Sequence, residues 1–325
     1  MMIIETRKLT KEFKRYKKQE GLAGSIKGLF KREYVRKVAV NEFDLEINEG
    51  EFVGLIGPNG AGKTTLVKML TGIIAPTKGE VSVLGYYPNR LENDMKSQYA
   101  IVMGQKSQLF FELTAEDTLK LFKEIYGIPD EEFCKSKEYF ITLFDVKDLM
   151  NVQVRTLSLG ERMKMELIVA LLHNPKVLFL DEPTIGLDAI ASKQIRTFLK
   201  EVNETKGTTI ILTSHYMEDI KTLCKRSIVV NHGTKIYDGS TQELFDQYQL
   251  YKKITLTFQE KEDIILPDYC RLIEKTLDKL TIEVPRNEVA SVLELVMRNY
   301  TPSDVSVEEE EIGNVVERIY AQKGN

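Results

Sequence analysis

The stretch GPNGAGKTT, residues 57–65, decides the fold of this 325-residue chain. It fits the pattern G-x-x-x-x-G-K-[ST] and follows EFVGLIG (residues 51–57), an apolar run that is typical of a buried strand. Glycines at positions 57, 60 and 62 let the backbone bend so that successive N–H groups point at phosphate oxygens. The helix that begins after the loop presents its positive end to the same place. The stretch therefore predicts a phosphate-binding loop between a strand and a helix.

Two residues at the end of this loop carry side chains suited to nucleotide chemistry. Lys63 is expected to reach the β- and γ-phosphates, and the Thr64 hydroxyl is expected to bind Mg2+. The strand and the helix that the motif requires flank it here, which argues against a chance glycine-rich loop. The residues predicted to contact the nucleotide are Gly57, Pro58, Asn59, Gly60, Ala61, Gly62, Lys63, Thr64 and Thr65.

Acidic residues end a second apolar run, VLFLDEPT (residues 177–184). A carboxylate at the carboxyl edge of a parallel strand beside a phosphate loop can hold the water shell of Mg2+, so we expect this role of Asp181. Glu182 is expected to orient or deprotonate the attacking water. A third run, TTIILTS (residues 208–214), brings His215 to the same edge, where an imidazole could contact the γ-phosphate and the water. The alternative for Asp181 and Glu182 alone is that they lie at a helix N-terminus, where the helix dipole favours negative charge.

Strand patterns alternate with helical patterns along most of the chain. The helical patterns cover residues 114–127, 158–172 and 189–205. This alternation predicts an α/β fold with a mainly parallel sheet. After about residue 239, an exposed-strand pattern, a possible hairpin at residues 276–284 and two helices indicate a small α+β domain. We therefore divide the chain into residues 1–240 and residues 241–325.

Composition restricts the possible functions. The net charge of −4 argues against general nucleic-acid binding, and three scattered cysteines indicate reduced thiols rather than a disulfide framework. No histidine has a second ligand at metal spacing, so we expect no zinc site. The charged N-terminal stretch is unlike a signal peptide, and no apolar run approaches the roughly 20 residues of a membrane span. Work across a membrane would therefore need the spans of another protein.

The order of these motifs resembles that of the ATP-binding subunit of an ABC transporter. GPNGAGKTT, Gln105 in VMGQKSQLF, LSLGERMK, VLFLDEPT, GLD at residues 186–188 and His215 follow one another as in that family. The resemblance spans residues 3–239 and is to the ABC-2 or antibiotic-resistance-like export group in particular. It implies a P-loop NTPase fold with a helical signature subdomain at about residues 105–172. It also implies ATP and Mg2+ as ligands, and ATP hydrolysis that drives export.

The resemblance further implies an arrangement in which two subunits enclose two ATP molecules. Each ATP lies between the phosphate loop of one subunit and the signature helix of the other. Ser158 and Gly160 would then contact the γ-phosphate held by the partner chain, and Asp188 would lie at the dimer seam. Gln105 would act as a catalytic and Mg2+-binding residue that links the site to a membrane partner.

The segment before the phosphate loop supplies an aromatic residue and an insert. LTKEF matches the stretch that carries the adenine-stacking ring in the family, so Phe13 is the first candidate, with Tyr16 and Tyr34 as alternatives. The insert, about residues 17–37, has apolar residues at helical spacing among Lys and Arg. This pattern suits an anionic membrane face or a partner helix, and an ordinary surface loop is the alternative.

The resemblance implies partners that the chain does not contain. These are a second copy of the chain, or a similar second ATPase, and a separate multi-span permease that holds the chain at the cytoplasmic face of the membrane. The permease contact would follow Gln105, where Leu109, Phe110 and Phe111 are either exposed or fill an internal interface. Residues 241–325 would be accessory or regulatory. A soluble ABC-type regulator with a cytosolic partner and an importer motor remain alternatives.

The signature stretch LSLGERMKMEL, residues 157–167, departs from the family pattern LSGGQ at Leu159 and Glu161. Ser158 followed by Glu161 has the spacing of a capping box, which would strengthen the start of a helix. If position 159 needed a positive φ, leucine would cost about 1–2 kcal/mol there. Because the phosphate loop and the acidic residues are intact, we interpret the stretch as a working variant rather than a relic.

Overall fold

The chain divides into two compact units, Met1–Asp238 and Gly239–Asn325. The structure is a computed structural model and describes residues 1–16, 34–104, 106–214, 216–259, 264–310 and 312–323. Within those ranges no helix is long and apolar enough to cross a bilayer.

Strands and helices alternate along the first unit, as an α/β fold requires. Its strands are β1 (Met2–Tyr16), β2 (Tyr34–Asn48), β3 (Phe52–Ile56), β4 (Lys78–Val83), β5 (Tyr99–Met103), β6 (Val177–Asp181), β7 (Thr209–Thr213), β8 (Arg226–Asn231) and β9 (Thr234–Ser240). Its helices are α1 (Lys63–Leu70), α2 (Asn93–Lys96), α3 (Ala115–Tyr126), α4 (Asp130–Phe144), α5 (Leu159–Leu171), α6 (Ala189–Lys206) and α7 (Met217–Leu223).

A six-stranded sheet of order β5-β6-β7-β3-β8-β9 forms the centre of this unit. The four neighbouring pairs from β5 to β8 are parallel, which confirms the predicted parallel sheet. Every residue of β3 and of β7 is buried. Because the strands are parallel, the carboxyl ends of β3, β6 and β7 meet at one edge of the sheet. The phosphate loop and Asp181 lie at that edge.

A second sheet of order β2-β1-β4 is antiparallel. Its two long strands pair up to Tyr16 and Tyr34, with Phe13 opposite Lys37. Residues 34–37, predicted as the end of the insert, therefore belong to β2, because the ladder with β1 continues to Tyr34. The rest of the insert, residues 17–33, lies outside the described residues.

One hydrophobic core joins the two sheets through α1. It includes Ile4 and Ile47 of the antiparallel sheet, Leu66 of α1, and Val53 and Phe179 of the parallel sheet. All five side chains are at most 1% exposed. The phosphate loop is thus held at both ends by buried elements.

The helices α3, α4 and α5 lie within the segment predicted as a helical subdomain. The start of α3 is capped by the Thr114 hydroxyl, which accepts the N–H of Asp117 at 3.1 Å. The helix ends at Gly127, whose φ of 62° is the left-handed conformation that glycine favours. Both ends agree with the helical pattern predicted for residues 114–127.

The second unit contains a four-stranded antiparallel sheet, whose strands in spatial order are Arg271–Lys275 (β11), Lys279–Pro285 (β12), Tyr251–Thr257 (β10) and Asp304–Glu309 (β13), together with helices. Its core pairs Ile254 and Ile282 with Val292 and Val296 of a covering helix. The hairpin starts earlier than residue 276, because Arg271–Lys275 form its first strand and the Thr276 hydroxyl accepts from Lys279 N in the turn. The elements are α8 (Thr241–Tyr248), β10 (Tyr251–Thr257), β11 (Arg271–Lys275), β12 (Lys279–Pro285), α9 (Val289–Asn299), β13 (Asp304–Glu309) and α10 (Ile312–Lys323).

Candidate functional site: a phosphate loop beside two carboxylates

The loop between β3 and α1 is folded too tightly for side chains at two of its glycines. A Cβ atom on Gly57 would lie 2.2 Å from the carbonyl oxygen of Val230. A Cβ atom on Gly62 would lie 2.3 Å from the carbonyl oxygen of Ala39, and Gly62 has a φ of 113°. These contacts fix the course of the loop, whose N–H groups and helix N-terminus suit an anion.

Lys63 is the first residue of α1 and is 5% exposed. Its Nζ donates to the carbonyl oxygens of Gly57 at 2.6 Å and Pro58 at 3.2 Å. Burial lowers the pKa of Lys63, while the negative charges of Glu182 and Asp181 oppose that shift. An ammonium group is therefore enclosed by the loop and faces the two carboxylates.

Asp181, the last residue of β6, connects the phosphate loop to the neighbouring strand. Its Oδ1 accepts from Thr64 Oγ1 at 3.2 Å and from Thr213 Oγ1 at 2.5 Å. A threonine hydroxyl and a carboxylate oxygen are the kind of donors that Mg2+ takes, commonly with substrate phosphates completing its coordination. The donor set at this place fits Mg2+.

Glu182 has a backbone conformation that is unusual for a residue with a side chain. Its φ is 56°, and its N–H donates to Thr213 at 3.0 Å (carbonyl oxygen) and 3.2 Å (hydroxyl). A left-handed non-glycine residue costs on the order of 1–3 kcal/mol, and such residues cluster at functional sites. The packing of β7 thus holds Glu182 in a strained position next to the phosphate loop.

Phe13 lines the same cleft as the phosphate loop. The cleft has a volume of about 230 Å³ and is also lined by Lys37, Ala39 and Glu182. The Phe13 side chain is 41% exposed, and Lys11 Nζ lies 5.3 Å from its ring centroid. An exposed ring beside a phosphate loop is placed where a base could stack. The side chains of Tyr16 and Tyr34, the alternatives, lie outside the described residues.

The signature stretch forms the capped start of α5. Ser158 Oγ accepts from Glu161 N at 3.3 Å, and Glu161 Oε2 accepts from Ser158 N at 2.8 Å, which completes the predicted capping box. The bond from Ser158 N lowers the pKa of Glu161. Leu159 is the first residue of the helix and has no positive φ, so the strain considered for leucine at this position is absent.

The start of α5 packs against the start of α6. A Cβ atom on Gly160 would lie 3.0 Å from Ala191 Cβ. Asp188 caps α6, since its Oδ1 accepts from Ala191 N at 2.8 Å. Ser158 and Gly160 are not among the described residues that line the phosphate-loop cleft of their own chain.

Comparison with known proteins decides the family. A family model described as ABC transporter matches residues 40–185. The chain is 33% identical over 208 residues to the ABC transporter ATP-binding protein NatA of Bacillus subtilis, and the match covers 64% of this chain and 84% of NatA. The chain belongs to the ABC transporter ATP-binding family. It is an ABC ATPase, and its nucleotide is ATP.

A second relative agrees with this ABC ATPase assignment, and a solved structure has a similar fold. The chain is 30% identical over 246 residues to the Nod factor export ATP-binding protein I of Cupriavidus pinatubonensis, covering 76% of this chain and 75% of that protein. Its fold is similar to a dimeric, post-hydrolysis structure of the ATP-binding cassette MJ0796 bound to ADP and Pi. That match has a TM-score of 0.60 and 24% identity, and covers 74% of this chain and 99% of the other. The predicted P-loop NTPase fold is confirmed.

Two expected site residues of the ABC ATPase, Gln105 and His215, lie outside the described residues. Their neighbours are held firmly. Gly104 N donates to the carbonyl oxygen of Asp181 at 2.9 Å. Ser214 Oγ accepts from Tyr216 N at 2.9 Å. Gly104 is thus tied to the end of β6, and Tyr216 is tied to Ser214, the residue that follows β7.

A buried polar cluster behind the site was not found from the sequence. Asp219, which is 1% exposed, accepts from Thr184 Oγ1 at 2.5 Å, from Ser214 Oγ at 3.0 Å and from Arg196 Nη1 at 2.9 Å. It thereby joins the loop after Glu182, the end of β7 and helix α6. The only sequence signal was an acidic residue in the first turn of α7, which is common on solvated helices.

Proposed function

We propose that the chain is the motor subunit of an ABC-2-type exporter, in which two copies enclose ATP and act on a separate multi-span permease. The observation that carries this proposal is the convergence of Lys63, Thr64, Asp181 and Glu182 at one edge of the sheet, with Phe13 in the same cleft. Lys63 supplies positive charge to the phosphates, and Phe13 stacks on the adenine.

The proposed Mg2+ site consists of Thr64 and Asp181, with Gln105 as the third contributor. The two described oxygen atoms are already 3.2 Å apart, so little rearrangement is needed to bring both to one ion. When bound, Mg2+ neutralises charge that develops on the phosphate oxygens during transfer. Thr213, which donates to Asp181, keeps the carboxylate oriented.

Hydrolysis is assigned to Glu182 and His215. Glu182 orients the attacking water or accepts its proton. Its strained backbone fixes the direction in which the side chain leaves the main chain. His215, which follows β7, contacts the γ-phosphate and the same water. In the sequence Glu182 follows β6 and His215 follows β7, and these two strands are parallel neighbours, so we expect both residues at the same edge of the sheet.

Dimerisation completes the proposed site. Ser158 and Gly160 do not line the described cleft of their own chain, so they are free to face the ATP of a second copy. The helix N-terminus at the start of α5 suits an anion, and Asp188 caps α6, whose start packs against the start of α5 at the proposed seam. The fold of a dimeric cassette that holds ADP and Pi supports this arrangement.

Export is proposed from the name of a relative and from an exposed aromatic pair. A relative carries Nod factor export in its name. Phe110 and Phe111 are 48% and 44% exposed, whereas Leu109 is buried. The two rings follow Gln105 and offer an apolar contact to a permease, which would hold the chain at the cytoplasmic face of the membrane.

Affinity purification tests this proposal. The tagged Glu182→Gln chain, with ATP and Mg2+, is expected to bring a stoichiometric multi-span protein from native membranes. A matched variant that also carries Phe110→Ser and Phe111→Ser should form the ATP-bound dimer but lose the membrane protein. Recovery of cytosolic proteins alone by the first variant would overturn the exporter assignment and favour a soluble regulator.

A further inference from the structure

Helix α5 contains a buried carboxylate that the proposed mechanism does not use. Glu166 is 5% exposed and lies two helical turns after Ser158. Its Oε2 is buried and has no hydrogen-bond partner among the residues that the structure describes. Burying a carboxylate is costly unless its other contacts compensate, so the contacts of Oε1 call for an explanation.

Both contacts of Glu166 Oε1 reach the segment that directly follows Gln105. Ser107 Oγ donates to it at 2.5 Å, and Gln108 N donates at 2.9 Å. Ser107 Oγ in turn accepts from Leu109 N at 3.1 Å. One oxygen of α5 therefore organises three consecutive residues of this segment.

The same segment is also tied to the central sheet. The side-chain amide of Gln108 donates to the carbonyl oxygen of Ile101, in β5, at 2.6 Å. Leu109 is 6% exposed, and the exposed Phe110 and Phe111 come directly after it. Residues 107–109 are thus clamped between α5 and β5, with Gln105 on one side and the aromatic pair on the other.

The charge state of Glu166 follows from these surroundings. Burial raises the pKa of Glu166, while the hydrogen bonds from Ser107 and Gln108 and the positive charge of Arg162 oppose that shift. Arg162 lies one turn earlier on α5 and has its guanidinium 5.9 Å from the Phe111 ring centroid. Arg162 therefore interacts both with Glu166 and with the Phe111 ring.

We propose that Glu166 is a positioning residue that fixes the segment after Gln105 to the helix that begins at Ser158. This inference rests on the proposed function, in which Gln105 belongs to the Mg2+ side of an ATP site and Ser158 contacts the ATP held by the second copy. A helix is stiff over two turns, so a displacement of the Ser158 end is transmitted through Glu166 to residues 107–109. Loss of the hydrogen bonds to Glu166 uncouples residues 107–109 from the Ser158 end of the helix.

Amide hydrogen exchange and steady-state ATPase kinetics test this role in three variants. Glu166→Ala removes both contacts, Glu166→Gln keeps an acceptor oxygen at the same reach, and Glu166→Asp keeps the charge but shortens the reach. In Glu166→Ala, we expect exchange in residues 106–111 to rise about tenfold or more. We expect kcat to fall about fivefold or more, with KM for ATP within about twofold. Glu166→Gln should restore both quantities better than Glu166→Asp.

Lys164→Ala is the matched control. Lys164 lies on the same helix, and its Nζ donates to the carbonyl oxygen of Phe144 at 3.3 Å rather than to the segment after Gln105. It should leave exchange in residues 106–111 unchanged. Unchanged exchange and kcat in Glu166→Ala would overturn the proposal, as would equal losses in Glu166→Ala and Glu166→Gln.

A second variant and a readout that is independent of hydrolysis keep the role of Glu166 testable. If Glu166→Ala does not fold, Ser107→Ala removes one of the same contacts and should raise exchange in the same direction; no rise would contradict the proposal. The exchange measurement needs no hydrolysis. Absence of ATPase activity in the unmodified chain would therefore refute the proposed function, while the exchange result would still decide the role of Glu166.

Discussion

The carbonyl oxygen of Glu182 lies 2.3 Å from the position that a Cβ atom on Gly104 would occupy. Gly104 N also donates to the carbonyl oxygen of Asp181 at 2.9 Å, so the end of β5 rests directly on the two acidic residues. Glu182 has a φ of 56°, and this contact is part of what keeps it there.

Replacing Gly104 by alanine should therefore displace Glu182. We expect kcat to fall about 100-fold, because Glu182 is the proposed catalytic base and a shift of about 1 Å in such a group has an effect of that order. Gly127→Ala is the control, since its Cβ would meet no atom within 4 Å. Because Gly127 has a φ of 62°, the substitution Gly127→Ala should lower the unfolding free energy by about 1 kcal/mol without changing kcat. Equal kcat values for the two variants would contradict the account.

The pH dependence of stability should reflect His173. Its ring stacks on Tyr126 with centroids 3.9 Å apart, its Nε2–H donates to the carbonyl oxygen of Tyr99 at 3.2 Å, and burial lowers the pKa of His173 to about 4. In the unfolded chain the histidine pKa is about 6.5. Between about pH 4 and pH 6.5, His173 is therefore protonated in the unfolded chain but neutral in the folded chain. The contribution of His173 is thus fully present above about pH 6.5 and is lost as the pH falls toward about 4.

Urea unfolding at two pH values measures this effect. From pH 7 to about pH 4.5 the unmodified chain should lose on the order of 2–3 kcal/mol more unfolding free energy than His173→Phe, which keeps a stacked ring but does not titrate. The comparison cancels the other titrating groups. Parallel pH profiles for the two proteins would show that His173 accepts a proton without unfolding.

The signature variant should tolerate the loss of its charge. Glu161→Gln keeps an oxygen that can accept from Ser158 N, so we expect ATPase activity within about twofold of the unmodified chain. Glu161→Ala removes half of the capping box and should lower the unfolding free energy by about 1 kcal/mol. Complete loss of activity in folded Glu161→Gln would show that the carboxylate itself takes part in the reaction.

The sequence was sufficient for features whose chemistry is local. The stretch GPNGAGKTT predicts the phosphate loop, and VLFLD predicts a buried strand that ends at Asp181. Because the strands are parallel, the loop and Asp181 come together at one edge of the sheet. The capping box at Ser158 is likewise a pattern within four residues. Each of these predictions needed only spacing and the direction of strands.

Other features depend on contacts between distant parts of the chain. A side chain is excluded at Gly104 because the Glu182 carbonyl lies against it, and Glu166 looks like an ordinary helical residue until its bonds from Ser107 and Gln108 are seen. The strand Arg271–Lys275 is exposed throughout, so no burial pattern revealed it. Whether Leu159 needed a positive φ depended on where the helix begins.

The most direct test of the account measures ATP hydrolysis and ATP-dependent dimerisation of Glu182→Gln, with Mg2+ present. We expect turnover to fall about 100-fold or more, which is the scale of general-base catalysis, and the variant to become a stable dimer only when ATP is added. Glu204→Gln, an exposed glutamate on α6, should behave like the unmodified chain in both respects. Turnover in Glu182→Gln equal to that of the unmodified chain would contradict the central claim.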